Sequence, residues 1–106
     1  MSFLNLQEIQ QKEIVKGFDA RFVHTQHLTL AYVDIKAGSI LPEHHHVHEQ
    51  VTNVLEGKLQ FTLEGNTQIL EYGKVVVIPS NAKHSAIALT DCKVMDVFYP
   101  CREDYK

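Results

Sequence analysis

Of the seven histidines in this chain, four crowd into positions 44–48: His44, His45, His46 and His48. Residues two apart in an extended strand share a face, so His44 and His46 point the same way and His45 points opposite. Two imidazoles on one face can share a metal ion. Gln50 follows after a gap long enough for a corner and the start of another strand. His84 opens an apolar segment behind Pro79-Ser-Asn-Ala-Lys. A β-barrel could bring His44, His46, Gln50 and His84 to one centre. Three neutral imidazoles and an amide oxygen suit a divalent first-row transition metal. A ligand set without formal charge leaves the ion's own charge free to polarise a bound oxygen. The competing reading is a solvated histidine-rich loop with adventitious metal affinity. His24 and His27 read as ordinary strand residues.

A second group of chemically able residues lies near the C-terminus: Asp96, Phe98 and Arg102. Val94, Asp96 and Phe98 share one face of a strand. A carboxylate between two apolar neighbours on a buried face is costly unless it is paired or near a cation. Either Asp96 faces solvent while Met95 and Val97 face the core, or it faces a cavity where it could act as a general base. Arg102, behind the strand-ending Pro100, is either a surface charge or a bidentate partner for a substrate carboxylate. Cys92 and Cys101 flank the same segment and read as inert thiols; bridging them would need Cα atoms about 4.4–6.8 Å apart. The chain has no G-x-S-x-G, no phosphate-binding loop, no dinucleotide fingerprint and no C-x-x-C.

The elements that must position these groups are strands. From about residue 18 the pattern has period 2. Leu28, Leu30 and Tyr32 alternate with Thr29 and Ala31, and Leu59, Phe61 and Leu63 alternate with Lys58, Gln60 and Thr62. Such alternation sets one face on a core and the other toward water or a cavity. The continuous run Val75-Val-Val-Ile78 reads as a strand covered on both sides. Gly38, Gly57, Gly65-Asn66, Gly73 and Pro79-Ser80-Asn81 punctuate these runs as turns. Many short strands with almost no helix signal predict an all-β sandwich or barrel. Residues 1–16 read as a short helix, with Asn5 as its N-cap, or as an edge arm.

Length and composition set the outer limits. The chain has 106 residues and a net charge of −3, and is 44% apolar and 22% charged. This is one ordinary globular domain over 1–106, neither disordered nor collagen-like. There is no basic stripe to grip nucleic acid. No apolar run approaches the ~20 residues of a membrane span. The N-terminus lacks a signal-peptide pattern, so a cytoplasmic location is expected.

The segment Gly38-x5-His44-x-His46-x3-Gln50-x6-Gly57 resembles the first cupin motif, with Gln in place of Glu. Gly73-x5-Pro79-x-Asn81-x2-His84-x3-Ala88 resembles the second, with Asn81 for Gly and Ala88 for Asn. Asn is the next best residue for a left-handed turn, so the first of those departures is mild. The resemblance implies a double-stranded β-helix, a jelly-roll-like barrel extended by extra strands. It implies a divalent transition metal, such as nickel, zinc, manganese or iron, on His44, His46, Gln50 and His84. His45 and His48 carry no role from it.

Within the cupins, His44-x-His46-x-x-Glu49-Gln50 and the tail Asp96-x-Phe98-x-Pro100-x-Arg102-Glu-Asp-Tyr105 look like the small pectin-degradation cupins. Those convert 4,5-unsaturated monouronates to linear keto sugar acids. Their site residues map onto Asp96, Phe98 and Arg102, implying an anionic sugar-acid substrate and a homodimer. An Fe(II)-dependent dioxygenase and a non-catalytic module binding a sugar or anion remain alternatives, because one fold hosts many chemistries.

Overall fold

The computed structural model describes residues 2–106. Ten strands form two antiparallel sheets. The first sheet has six strands: β1 (Lys12–Val15), β2 (Phe18–His24), β3 (Thr29–Ile35), β10 (Cys92–Tyr99), β5 (Glu49–Glu56) and β8 (Val75–Ile78), in that spatial order. The second has four, in the order β4 (Ile40–His44), β9 (His84–Ala88), β6 (Leu59–Leu63) and β7 (Asn66–Leu70). The expected all-β class is the observed one. In the N-terminal segment, Asn5 does cap, its side chain accepting from the Gln7 N–H at 3.0 Å, but the helix is a single 3₁₀ turn at Leu6–Glu8. β1 then forms an edge of the larger sheet. Met1 lies outside the described residues.

The core fills the space between the sheets. Phe18, Val33 and Val94 enter it from one side, and Leu59 and Phe61 from the other. On β6 the apolar set faces inward, as its alternation predicts. β3 runs the other way: Thr29, Ala31, Val33 and Ile35 are buried, while Leu30 and Tyr32 lie on the outer face. Both faces of that strand carry apolar residues, so period 2 alone cannot name the inner one. The run in β8 is also uncovered on its outer side, with Val75 52% and Val77 65% exposed. A continuous apolar run suits a doubly covered strand, but here it forms an open-edged strand of the larger sheet. Gly57 shows why one turn needs glycine: φ is +86° there, and a Cβ would collide with the Asp91 carbonyl.

Candidate metal centre

Two strand registers and one turn contact assemble the site. β4 and β9 pair so that His44 stands opposite His84. His46 follows β4 in the connection to β5, and the Asn81 N–H donates to its carbonyl at 2.7 Å. Asn81 has φ +64°, the left-handed geometry its turn position predicts. On the opposite sheet, β5 and β10 pair Gln50 with Phe98 and Thr52 with Asp96. All four of those side chains line one cavity with His44 and His46. Asp96 is therefore on the inward face, and Met95 and Val97 are on the outer one.

The imidazoles of His44, His46 and His84 converge, with ligand atoms all within 4.8 Å of one another. Each ring is oriented by a backbone carbonyl. Nδ1 of His44 meets Pro42 O, Nδ1 of His46 meets His48 O, and Nδ1 of His84 meets Ala82 O, each at 2.9 Å. A carbonyl only accepts, so each Nδ1 carries a proton and each Nε2 is the atom turned to the centre. Burial, above all, lowers the pKa of His84 to about 4, and it also lowers that of His46, with Arg102 adding to both effects. Both rings are therefore neutral and competent to ligate at neutral pH.

The donor chemistry fits a cation. Nε2 of His84 is buried with no hydrogen-bond partner. Gln50 is held by a relay: its Nε2 donates to Thr52 Oγ1 at 2.9 Å, and Thr52 Oγ1 donates to Asp96 Oδ1 at 2.7 Å. This leaves Gln50 Oε1 facing His46 Nε2 at 3.0 Å. In the neutral ring two lone pairs meet there, a contact that a shared cation relieves. His44, His46 and His84 could thus hold a metal, with Gln50 Oε1 as a fourth donor.

Asp96 and Arg102 share the cavity wall. Burial raises the Asp96 carboxyl to about 6, against the opposing pull of Thr52, Gln50 and Arg102. The chain leaves β10 through the cis Tyr99–Pro100 peptide and hooks back. The Arg102 N–H donates to the fully buried Thr29 Oγ1 at 2.9 Å. The Arg102 side chain is nearly buried, a surface charge no longer. Phe98 stands edge-on to His46 at 5.9 Å between ring centres.

A cupin-domain sequence model matches residues 31–98. The chain is a cupin. This cupin is 30% identical over 80 residues to the pectin degradation protein KdgF of Dickeya dadantii (strain 3937), covering 74% of this chain and 73% of that protein. The structure of KdgF from Halomonas sp. superposes with a TM-score of 0.93 at 30% identity, covering 100% of this cupin and 99% of that chain. An RmlC-like cupin from Shewanella frigidimarina NCIMB 400 shares the fold, with a TM-score of 0.94 at 24% identity over 100% and 96% of the two chains.

The outward His45 and the unbridged cysteines are as expected, whereas the partners of Gln50 and Arg102 are not legible in the sequence. Thr52 looks like any polar strand residue until its register with Asp96 is known. His48 contributes its backbone carbonyl, while His45 is exposed. Cys92 and Cys101 are both free and buried, and the Cys101 thiol meets the carbonyls of Thr25 and Leu28. Asp104 and Tyr105 pack against Arg102. Among the described residues no helix is long and apolar enough to cross a membrane.

Proposed function

We propose that this cupin opens the ring of 4,5-unsaturated monouronates and delivers the linear keto acid. One observation carries the reading: the raised carboxyl of Asp96 and the cation of Arg102 line one cavity with His44 and His46 of the three-histidine cluster. The similarity to proteins named for pectin degradation supports the substrate class. His44, His46, His84 and Gln50 would hold a divalent ion, which when bound supplies Lewis acidity toward a substrate oxygen. Arg102 receives the substrate carboxylate, and Phe98 forms an apolar wall beside the sugar. Asp96, whose carboxyl is raised by burial to about 6, takes the proton of the anomeric hydroxyl as the C1–O5 bond breaks and an enolate forms at C5–O5. Returning a proton to C4 completes the ketone. Atoms balance, because the net change is an isomerisation.

The test follows the ultraviolet absorbance of lyase-generated unsaturated monouronate over the spontaneous background. Acceleration that is lost on chelation and in Arg102→Ala is the expected result. No acceleration by protein with demonstrably bound metal would sink the reading.

The proposal extends to a homodimer. The outer face of the larger sheet is apolar from Leu30 and Tyr32 through Val97 to Val77, and β8 leaves an edge unpaired in the chain. Such faces and edges invite a partner strand or sheet. Light scattering should give twice the 12.1 kDa chain mass, and a monomeric mass would remove the dimer.

A further inference from the structure

Arg102 is held on three sides before any ligand arrives. A guanidinium offers two bidentate edges: Nε with Nη2 along the side, and Nη1 with Nη2 at the end. Asp104 fills the side edge, its Oδ1 accepting from Nε at 3.0 Å and its Oδ2 from Nη2 at 2.8 Å. The guanidinium carbon lies 4.1 Å from the Tyr105 ring centre and 4.8 Å from that of Phe98. Those two rings meet at 72°, forming a corner that fixes the guanidinium plane. Tyr105 is itself stacked on Phe22 of the core, at 4.6 Å between centres. Thr29 pins the Arg102 backbone, as described above. The end edge has no carboxylate partner, on a residue that lines the cavity.

Resting on the reading of Arg102 as the carboxylate receptor, we propose that Asp104 and Tyr105 are positioning residues that pre-set its guanidinium as an end-on receptor for a uronate carboxylate. A free arginine side chain loses rotamer freedom when it binds an anion, and holding it in advance removes that cost from binding. The side edge is the one a competing carboxylate could fill without blocking the end. Asp104 is 56% exposed while Arg102 is 10% exposed, so solvent screens the fixed anion more than the cation. The specificity that results is for a planar anion over a neutral sugar of the same shape.

The experiment measures KM and kcat for unsaturated monouronate, and inhibition constants for D-galacturonate and for D-galactose, on metal-loaded protein. Asp104→Asn should raise KM and the galacturonate constant about tenfold, the worth of one charge-assisted hydrogen bond. kcat and the galactose constant should stay within twofold. Asp104→Glu should recover most of the loss. Tyr105→Leu should weaken galacturonate several-fold and Tyr105→Phe very little, which separates the ring's role from tail folding. In an Arg102→Ala background, Asp104→Asn should add nothing. An unchanged or tighter galacturonate constant in Asp104→Asn would overturn the inference, as would equal losses for galactose. If Arg102→Ala itself leaves the preference for galacturonate intact, the receptor reading fails beneath it, a result distinct from an effect of Arg102 without one of Asp104.

Discussion

The histidine cluster and the C-terminal hook face the same cavity, but they are built by different means. Each histidine is aimed by a carbonyl two residues away in the chain: Pro42 for His44, His48 for His46 and Ala82 for His84. The hook's backbone and its Tyr105 ring are held by partners far away, while Asp104, two residues on, clamps the guanidinium. Thr29 holds the Arg102 backbone from 73 positions upstream, and Phe22 supports Tyr105 from another strand. Gln50 and Asp96 stand between these styles, joined through Thr52 across a register 44 residues apart. The contrast teaches that the ligand rings are aimed by the local chain alone, while the receptor needs distant packing besides its local Asp104 clamp.

The comparison can be broken most sharply at its local side. His46→Ala should abolish metal binding in metal analysis of purified protein, and turnover with it. The loss should exceed the roughly 10–100-fold typical of removing an outer partner of a ligand. The variant should still fold, because His46 sits in a connection and not in a strand.

Asp96→Asn tests the junction. kcat/KM should fall about 10²–10⁴-fold, the usual worth of a general base. The wild-type rate should climb with pH as Asp96 ionises, at or below about 6 because a bound cation favours the carboxylate, and the variant should lack that limb. Stability runs the other way. The folded state raises this carboxyl above its ordinary 3.8, so the neutral acid is favoured on folding. Its contribution is full below about 3.8 and is lost as pH rises through about 6. In chelated protein, thermal melts should therefore show Asp96→Asn gaining on the order of 2 kcal/mol at pH 8 and nothing near pH 3.5.

Thr52→Val cuts the relay without emptying the strand position. The Gln50 amide is then free to turn, and metal affinity by chelator competition should drop about tenfold or more, with Thr52→Ser close to wild type. Equal affinities in all three proteins would show that Gln50 does not depend on the relay.

The smallest expected effect lies at the distant side. Thr29→Val leaves the buried Arg102 N–H without its acceptor, at a cost of about 1–3 kcal/mol. The melting temperature should fall by several degrees and KM should rise, while metal content stays put. A variant that loses metal instead would erase the distinction between the two regions.

The pairing of β4 with β9 decided that His84 joins His44 and His46. By itself, the sequence determined the all-β class, the turn at Asn81 and the close spacing of His44 and His46. Those are short-range facts: strand period, left-handed tolerance and chain reach act within a few residues. It could not say which face of β3 or β10 is inner, because both strands carry apolar residues on both faces. Only the pairing of β10 with β5 and β3 turned Asp96 inward and left Leu30 and Tyr32 outside. The roles of Thr52, Thr29, Asp104 and Tyr105 also waited for the tertiary structure. A hydroxyl or carboxylate gains its meaning from the partner it meets, and three-dimensional packing chooses that partner.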